Sequence, residues 1–352
     1  MPSSLSSAAR LCRASGLHRA DSTTDGWVDD IGEPVTDEDV LARLRGLRLP
    51  PAWRDVWASP DAEARVQATG IDARGRTQYR YSATAESEAA EDKFAHLLPF
   101  GSTLPHLRTQ VERHLEHLPD DTISHRVKRA TAAAVRLIDR GLFRVGTSRY
   151  ARDNHTYGLT TLTRDHVRVS GAEIQFTFIG KEHRPWHLAI EDEQVARVMA
   201  DLLIGASADH PVFTVASAGG GRYLVNSAAV NSYIHGATTA PATAKTFRTW
   251  GGTAAAAAVS GGATSSTPVA SRRPDLIAYD AAAQLLGNTR AVARRSYVHP
   301  HAIEAGRAAA VAEAIEASIR QNGTSDVRVL LRDDAVVTAV ADELTRLMRQ
   351  QG

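Results

Sequence analysis

The sequence predicts an α+β protein: a small β-rich N-terminal domain followed by a mainly helical body with a β-hairpin set into it. Three observations carry this. Short alternating stretches bounded by turn residues fill the chain to about residue 92. From Glu91 onward, apolar residues recur at spacings of three and four. Within that helical region, Val167–Ile190 returns to alternation, interrupted by Ser170-Gly171 and by Gly180-Lys181. A chain of 352 residues has material for two or three domains and a sizeable core.

Residues 1–30 read as a flexible or weakly stranded leader whose only apolar anchor is Trp27-Val28. They are rich in Ser, Ala and Arg but lack the apolar segment of a signal peptide. Residues 31–92 form the β-rich domain. Asp37-Glu38-Asp39 opens a short helix that Leu49-Pro50-Pro51 stops. Trp53–Trp57 and Ala64–Thr69 are short strands, and Gly70–Tyr81 reads as strand, Asp/Gly turn and strand. The body, residues 93–305, carries helical spacing over 91–98, 105–118 and 124–140, with Leu142–Tyr150 as a further helix. Strands follow at Val167–Val169, Ile174–Ile179 and Trp186–Ile190, which puts Lys181 at a hairpin tip. Helices resume over 192–204, 226–235 and 242–259. Residues 260–274 have linker composition, and Asp275–Leu286 is helical. A helical tail, 306–352, has Val327–Leu331 as a strand.

Composition narrows the function classes. Net charge is only +1, yet residues 241–300 hold seven Lys or Arg against two acids, while the tail from His301 holds six Arg and eight acids. Positive charge concentrated in one segment is what phosphate binding requires. The single cysteine, Cys12, excludes an internal disulfide and a Cys-based zinc site, and suits a reducing cytoplasm. No run approaches the roughly 18 apolar residues of a membrane span. His183 and His187 do not share a helical face, and no His-Glu-x-x-His occurs, so neither a metal nor a cofactor is expected. Gly219-Gly220-Gly221 lacks the Lys-Ser/Thr of a phosphate loop and reads as a plain loop.

The chemistry gathers around Tyr297, in Leu286-Gly287-Asn288-Thr289-Arg290-Ala291-Val292-Ala293-Arg294-Arg295-Ser296-Tyr297. Upstream lie Phe143-Arg144-Val145-Gly146, Ile179-Gly180-Lys181-Glu182 and Lys245-Thr246-Phe247-Arg248-Thr249-Trp250-Gly251. A phenol with a pKa near ~10 is a poor nucleophile alone. It needs cations around the phosphate it attacks. Each motif alone reads equally well as a packing tyrosine, an ion-paired arginine or a solvated turn lysine; their conjunction in one order is specific.

Together these motifs resemble the active site of the type IB DNA topoisomerases, in the form found in poxviruses and bacteria, over about residues 40–305. The resemblance implies a C-shaped clamp that closes on duplex DNA and relaxes supercoils without ATP, through a 3′-phosphotyrosyl intermediate. It implies Tyr297 as nucleophile, Arg144 and Arg248 as donors to the non-bridging oxygens, and Lys181 as general acid to the leaving 5′ oxygen. Asn288 stands where the viral pattern has histidine; an amide still donates a hydrogen bond but carries no proton in transit. The hairpin is similar to the family's N-terminal DNA-contacting hairpin, which makes Arg76, Gln78, Tyr79 and Tyr81 contact candidates. Tyr150, expected on one helix with Arg144, falls at a base-edge contact. A monomer is expected, with DNA as its partner and no membrane. A tyrosine recombinase is the nearest rival, but it has His-x-x-Arg where this chain has Lys245-x-x-Arg248. A DNA-binding clamp that does not cut is the other.

Overall fold

The computed structural model describes residues 15–20, 26–116, 122–205, 207–217, 219–239, 241–265 and 273–350, without the side chains of 88–93 and 149–150. The chain divides into two compact units, Met1–Lys93 and Phe94–Gly352.

The first unit is built on a five-stranded antiparallel sheet of order β2-β1-β3-β4-β5. Its strands are β1 (Leu17–Arg19), β2 (Trp27–Val28), β3 (Arg54–Ala58), β4 (Val66–Ile71) and β5 (Thr77–Tyr81). The first two place strands in the segment that the sequence reading holds apart as a flexible or weakly stranded leader. Trp27 is buried with Leu44, Val56, Ala58 and Ala68 in the unit's own core, so these residues anchor the sheet's start. Helix α1 (Glu38–Gly46) starts at Asp37, whose carboxylate accepts from the Asp39 and Val40 amides. It covers one face through Leu44. The β4–β5 turn is tied by Asp72, which accepts from the Arg74 and Arg76 amides, and Gly75 there has φ +72°.

Helix α2 (Ala83–Ala95) runs across the boundary between the units. The second unit is mainly helical, with one large core. Helix α3 (Leu97–Leu115) takes in most of the piece expected over 105–118 and contains Pro105, while the piece expected over 91–98 falls mostly in α2. Helix α4 (Ile123–Gly141) runs through the interior, with Ala130–Ala134, Leu137 and Ile138 buried. Leu142–Tyr150 is not one helix. Leu142 turns left-handed (φ 50°) and ends α4, an extended stretch follows, and only α5 (Ser148–Asn154) is helical. Strands β6 (Val167–Ser170), β7 (Glu173–Ile179) and β8 (Pro185–Glu191) form a three-stranded sheet. The alternation in β7 is strict, with Ile174, Phe176 and Phe178 buried and their neighbours exposed.

After α6 (Glu193–Leu203), strands β9 (Thr214–Ala216) and β10 (Arg222–Leu224) pair around the glycine run, which the sequence reading left as a plain loop. Helices α7 (Ser227–Ala237), α8 (Ala244–Ser260), α9 (Pro274–Leu286) and α10 (Arg290–Ser296) follow. Residues 266–272, the centre of the expected linker, lie outside the described residues.

The remaining helices are α11 (Ala302–Gly306), α12 (Ala309–Asn322), α13 (Val327–Leu330) and α14 (Asp334–Arg349). Two corrections fall here. Val327–Leu330 is helical and not a strand, with Asp326 capping it by accepting from the Arg328 amide. The tail is also no separate piece: Val311, Ile315, Leu330, Val340 and Leu344 are buried in the same core as Phe247 and Trp250. Among the described residues no helix is long and apolar enough to cross a membrane.

Candidate active site

Arg248 is the centre of the site. Helix α8 starts with a reciprocal cap between Thr243 and Thr246, and within two turns it buries Phe247 and Trp250 in the core. Arg248, between them, is 2 % exposed. Its guanidinium donates to the Leu142 carbonyl and, at 2.9 Å, to the Leu286 carbonyl. These are the ends of α4 and α9, capped by left-handed Leu142 and Gly287 (φ +61°). The last carbonyls of a helix lack intrahelical partners and carry the negative end of its dipole. One buried arginine therefore ties two helix C-termini together. Its Nε is buried with no hydrogen-bond partner among the described residues.

Tyr297 caps α10, and its amide donates to the Ala293 carbonyl at 2.9 Å. Its own carbonyl accepts from Thr253 Oγ1 at 3.2 Å, and the same hydroxyl oxygen accepts from the His299 amide at 3.0 Å. Gly252 admits this close approach, since a Cβ there would stand 2.9 Å from the Tyr297 carbonyl oxygen. The half-buried ring lies 5.3 Å from Arg248 Cζ, a cation–π distance. Burial alone pushes the phenol's pKa up. The charges of Arg248 and Arg144, side-chain hydrogen bonding with Arg248 and the charge of Lys245 outweigh it, so the pKa lies below its ordinary 10.0. Burial first, then repulsion from Arg144, lowers Arg248 to about 10, with Tyr297 opposing.

Arg144 stands on the extended stretch after α4, not on a helix. Its backbone is pinned by the Leu159 amide, which donates to the Arg144 carbonyl at 2.8 Å. Gly146 (φ +86°) packs against Gly158, where a Cβ would fall 2.6 Å from the Arg144 carbonyl oxygen. Arg144 donates to Asn288 Oδ1 at 2.9 Å. An arginine only donates, so this bond fixes the amide's orientation and leaves its NH2 as the free donor. Asn288 Nδ2 is indeed buried with no hydrogen-bond partner among the described residues. The Asn288 amide closes the end of α9 on the Ala283 carbonyl at 2.9 Å.

The structure thus brings Tyr297, Arg248, Arg144 and Asn288 together. Lys181 does not join them. It is exposed at the β7–β8 tip, beside Glu182 and His183, which have φ of 65° and 55°, and it makes no hydrogen bond or ion pair among the described residues. The base of that hairpin does reach the site. Trp186 stacks with Phe178 (6.0 Å) and lies against Gly287, and Arg184 donates to the Gly287 carbonyl at 3.3 Å. Phe143, next to Arg144, packs on Phe176 at 4.9 Å and Trp186 at 6.5 Å. In the sequence Lys245 stands out only by contrast with histidine, and its bearing on Tyr297 goes unseen. Its place three residues before Arg248, one helical turn, is the available signal.

In the first unit, Arg76 and Gln78 are both held by Asp72. The Arg76 Nε donates at 2.8 Å and Gln78 Nε2 at 2.9 Å. The side-chain bond from Arg76 first, then its backbone amide, that of Arg74 and the Arg76 charge hold the Asp72 pKa at about 2. Tyr79 and Tyr81 stack at 6.1 Å on the other face of β5, the sheet's edge strand. Tyr150 lies on α5, and its side chain is outside the described residues.

Two family models match the chain. One, described as the catalytic core of eukaryotic DNA topoisomerase I, matches residues 82–322 and takes in all five residues from Arg144 to Tyr297. The other, the N-terminal domain of bacterial DNA topoisomerase IB, matches residues 26–72. A DNA topoisomerase 1B of Acanthamoeba polyphaga mimivirus is 32% identical over 164 residues, which is 47% of this chain and 47% of that protein. The chain spans about half the length of that curated relative.

Proposed function

We propose, since this chain belongs to the type IB DNA topoisomerase family, that it relaxes supercoiled duplex DNA by cutting and rejoining one strand, without ATP. The Tyr297 oxygen gives up its proton and attacks the scissile phosphorus. The bond to the 5′ oxygen breaks, that oxygen takes a proton, and a 3′-phosphotyrosyl link keeps the bond energy for religation. The carrying observation is the environment of Tyr297: a phenol whose pKa is drawn down by two arginines, beside two buried donors, Asn288 Nδ2 and Arg248 Nε, that have no acceptor among the described residues. Buried donors are nearly always paired. A phosphate's non-bridging oxygens, whose charge grows in the transition state, are acceptors of the right kind. Arg144 adds the planar fork that suits them.

Lys181 is proposed as the general acid, delivered by the hairpin tip to the leaving oxygen. Lys245 is its competitor, because its charge already bears on Tyr297. A DNA whose leaving atom is a 5′ sulfur needs no proton. It should restore cleavage to Lys181→Ala and leave other defects uncorrected. Rescue of Lys245→Ala instead moves the role there. In the first unit, Tyr79 and Tyr81 are the better candidates for DNA contact, since Arg76 and Gln78 are engaged with Asp72. The protein is proposed to act as a monomer in the cytoplasm, on nucleoid DNA.

The test is plasmid relaxation in EDTA without ATP, on positively and negatively supercoiled DNA. Wild type should relax both, and Tyr297→Phe should relax neither while still binding DNA. Binding without relaxation by the wild type would reduce the protein to a clamp. Joining of paired sites without relaxation would favour recombination.

A further inference from the structure

Behind the site lies a cavity of about 350 Å³, between the end of α4, strand β8, the end of α9 and the tail. Its wall includes Leu142 and Gly287, the residues that cap α4 and α9. Arg140, Arg184, His187, Arg328 and Arg332 line it, and no carboxylate does among the described residues.

Four arginines around one cavity ordinarily spend their charge on neighbouring acids. Two of these do. Arg140 pairs with Asp192 at 2.7 Å, and Arg184 lies 3.8 Å from the exposed Glu182. The buried acids nearby are already committed. Asp139 is held by Arg108 at 2.8 Å, and Asp192 also serves Arg136 at 2.8 Å and the Val195 amide at the start of α6. Arg332 is left over. Its Nε is buried without a hydrogen-bond partner, and its side chain has no ion pair among the described residues. Burial lowers its pKa, against attraction from Asp192, Asp139, Asp326 and Glu191. Arg328, about one turn earlier, is exposed, and its side chain also has no ion pair among them. Arg332 is half-buried, and a buried donor left without an acceptor is costly, so such a cluster is most stable with an anion that accepts from it.

We propose that this cavity binds a small phosphate-bearing anion of the pyrophosphate or nucleoside polyphosphate class. Guanidinium forks match pairs of phosphate oxygens, and the volume falls within the roughly 300–1,000 Å³ of small-molecule sites. A phosphate diester has one negative charge per group. Two arginines without ion pairs among the described residues, Arg328 and Arg332, with Arg140 and Arg184 on the same wall, suit the denser charge of a polyphosphate. The occupant would also act on catalysis, because Arg184 holds the Gly287 carbonyl, next to Asn288.

The experiment is isothermal titration of the full chain with inorganic pyrophosphate at low ionic strength. One saturable site is expected. It should weaken about tenfold in Arg328→Gln and in Arg332→Gln, each losing a charge-assisted contact, and recover in part in Arg332→Lys. Arg328 is exposed, so its variant keeps the fold even where Arg332→Gln does not. Arg320→Gln, which removes a surface arginine that does not line the cavity, should bind as wild type does. So should Arg144→Gln, which weakens the catalytic phosphate site. Absence of saturable binding overturns the proposal. So does binding lost in Arg144→Gln but kept in Arg328→Gln, which would place the anion among the catalytic cations. The proposal falls equally if pyrophosphate does not bind while Arg328→Gln lowers affinity for duplex DNA, because the occupant would then be the DNA backbone.

Discussion

Arg248 does two separable things, and substitution at single residues tells them apart. It holds the carbonyls of Leu142 and Leu286, and it acts on the Tyr297 ring. Arg248→Ala leaves two buried acceptors unpaired, at about 1–3 kcal/mol each, so chemical denaturation should show a loss of roughly 2–6 kcal/mol alongside the loss of cleavage. Arg144 holds no such carbonyl pair, and its removal should show in titration instead. The Tyr297 pKa lies below 10.0 because the cations favour the phenolate. A depressed acid stabilises the fold only above the unfolded pKa near ~10, and that gain is lost as pH falls through the folded value. The single-turnover cleavage rate should rise with pH, with its inflection below the phenol's ordinary 10.0. Arg144→Gln should move that inflection upward, and an ultraviolet titration of wild type against Tyr297→Phe reads the same shift; an unmoved inflection would mean that Arg144 does not govern the phenol. Asn288→Ala removes one oxyanion donor and should slow cleavage about 10²-fold with DNA affinity unchanged. Tyr297, Arg144, Arg248 and Asn288, which the structure brings together, stand out in the sequence because residue type and local setting are enough to mark them. The bond from Arg144 that orients Asn288, and the influence of Lys245 on Tyr297, do not, because they join residues about 50 to 140 positions apart.

Elements hold these residues through the turns that end them, above all the turn at Gly287. It is left-handed (φ +61°), and a Cβ there would come 2.5 Å from Trp186 Cζ2. Gly287→Ala therefore suffers the left-handed strain of about 1–2 kcal/mol and also pushes on the aromatic stack that joins the hairpin to Arg144. A fall in melting temperature should accompany a loss of cleavage that exceeds it, since Asn288 is the next residue; wild-type cleavage with a lowered melting temperature would show that the turn does not position Asn288. The sequence announced this turn by glycine. It did not announce Leu142, a leucine in the same conformation (φ 50°), and the apolar pattern of Leu142–Tyr150 therefore read as helix. Val327–Leu331 failed in the opposite direction. Val-Arg-Val alternation favours a strand only where a sheet edge offers partners; here Asp326 caps a helical turn, and Val327 and Leu330 go into the core.

The two units were visible in the sequence as a change of periodicity near residue 92, but membership of the second core was not. The match to the topoisomerase I catalytic core ends at residue 322, which would make the last thirty residues dispensable if the family region alone formed the fold. The packing argues otherwise. Val327, Leu330, Val336, Val337, Val340, Leu344 and Leu347 are all at most 5 % exposed and share one core with Phe100, Phe247 and Trp250. At about 1.5–3 kcal/mol per buried side chain of this size, they represent roughly 10–20 kcal/mol of apolar burial, which is as large as the whole net stability of a typical domain. Arg108 ties the same segment to α4, donating to the Leu331 carbonyl at 2.8 Å and to Asp334 at 2.7 Å while paired with Asp139. A chain cut after Asn322 should therefore lose its cooperative unfolding transition and its near-ultraviolet circular dichroism, and with them relaxation of DNA. Arg108→Ala in the full chain leaves Asp139 unpaired and should cost about 3–5 kcal/mol, a graded loss in which the fold and some activity survive. If the truncated chain instead melts cooperatively and cuts DNA at the full rate, the core is complete without the tail, and the buried face of α14 serves some purpose other than folding.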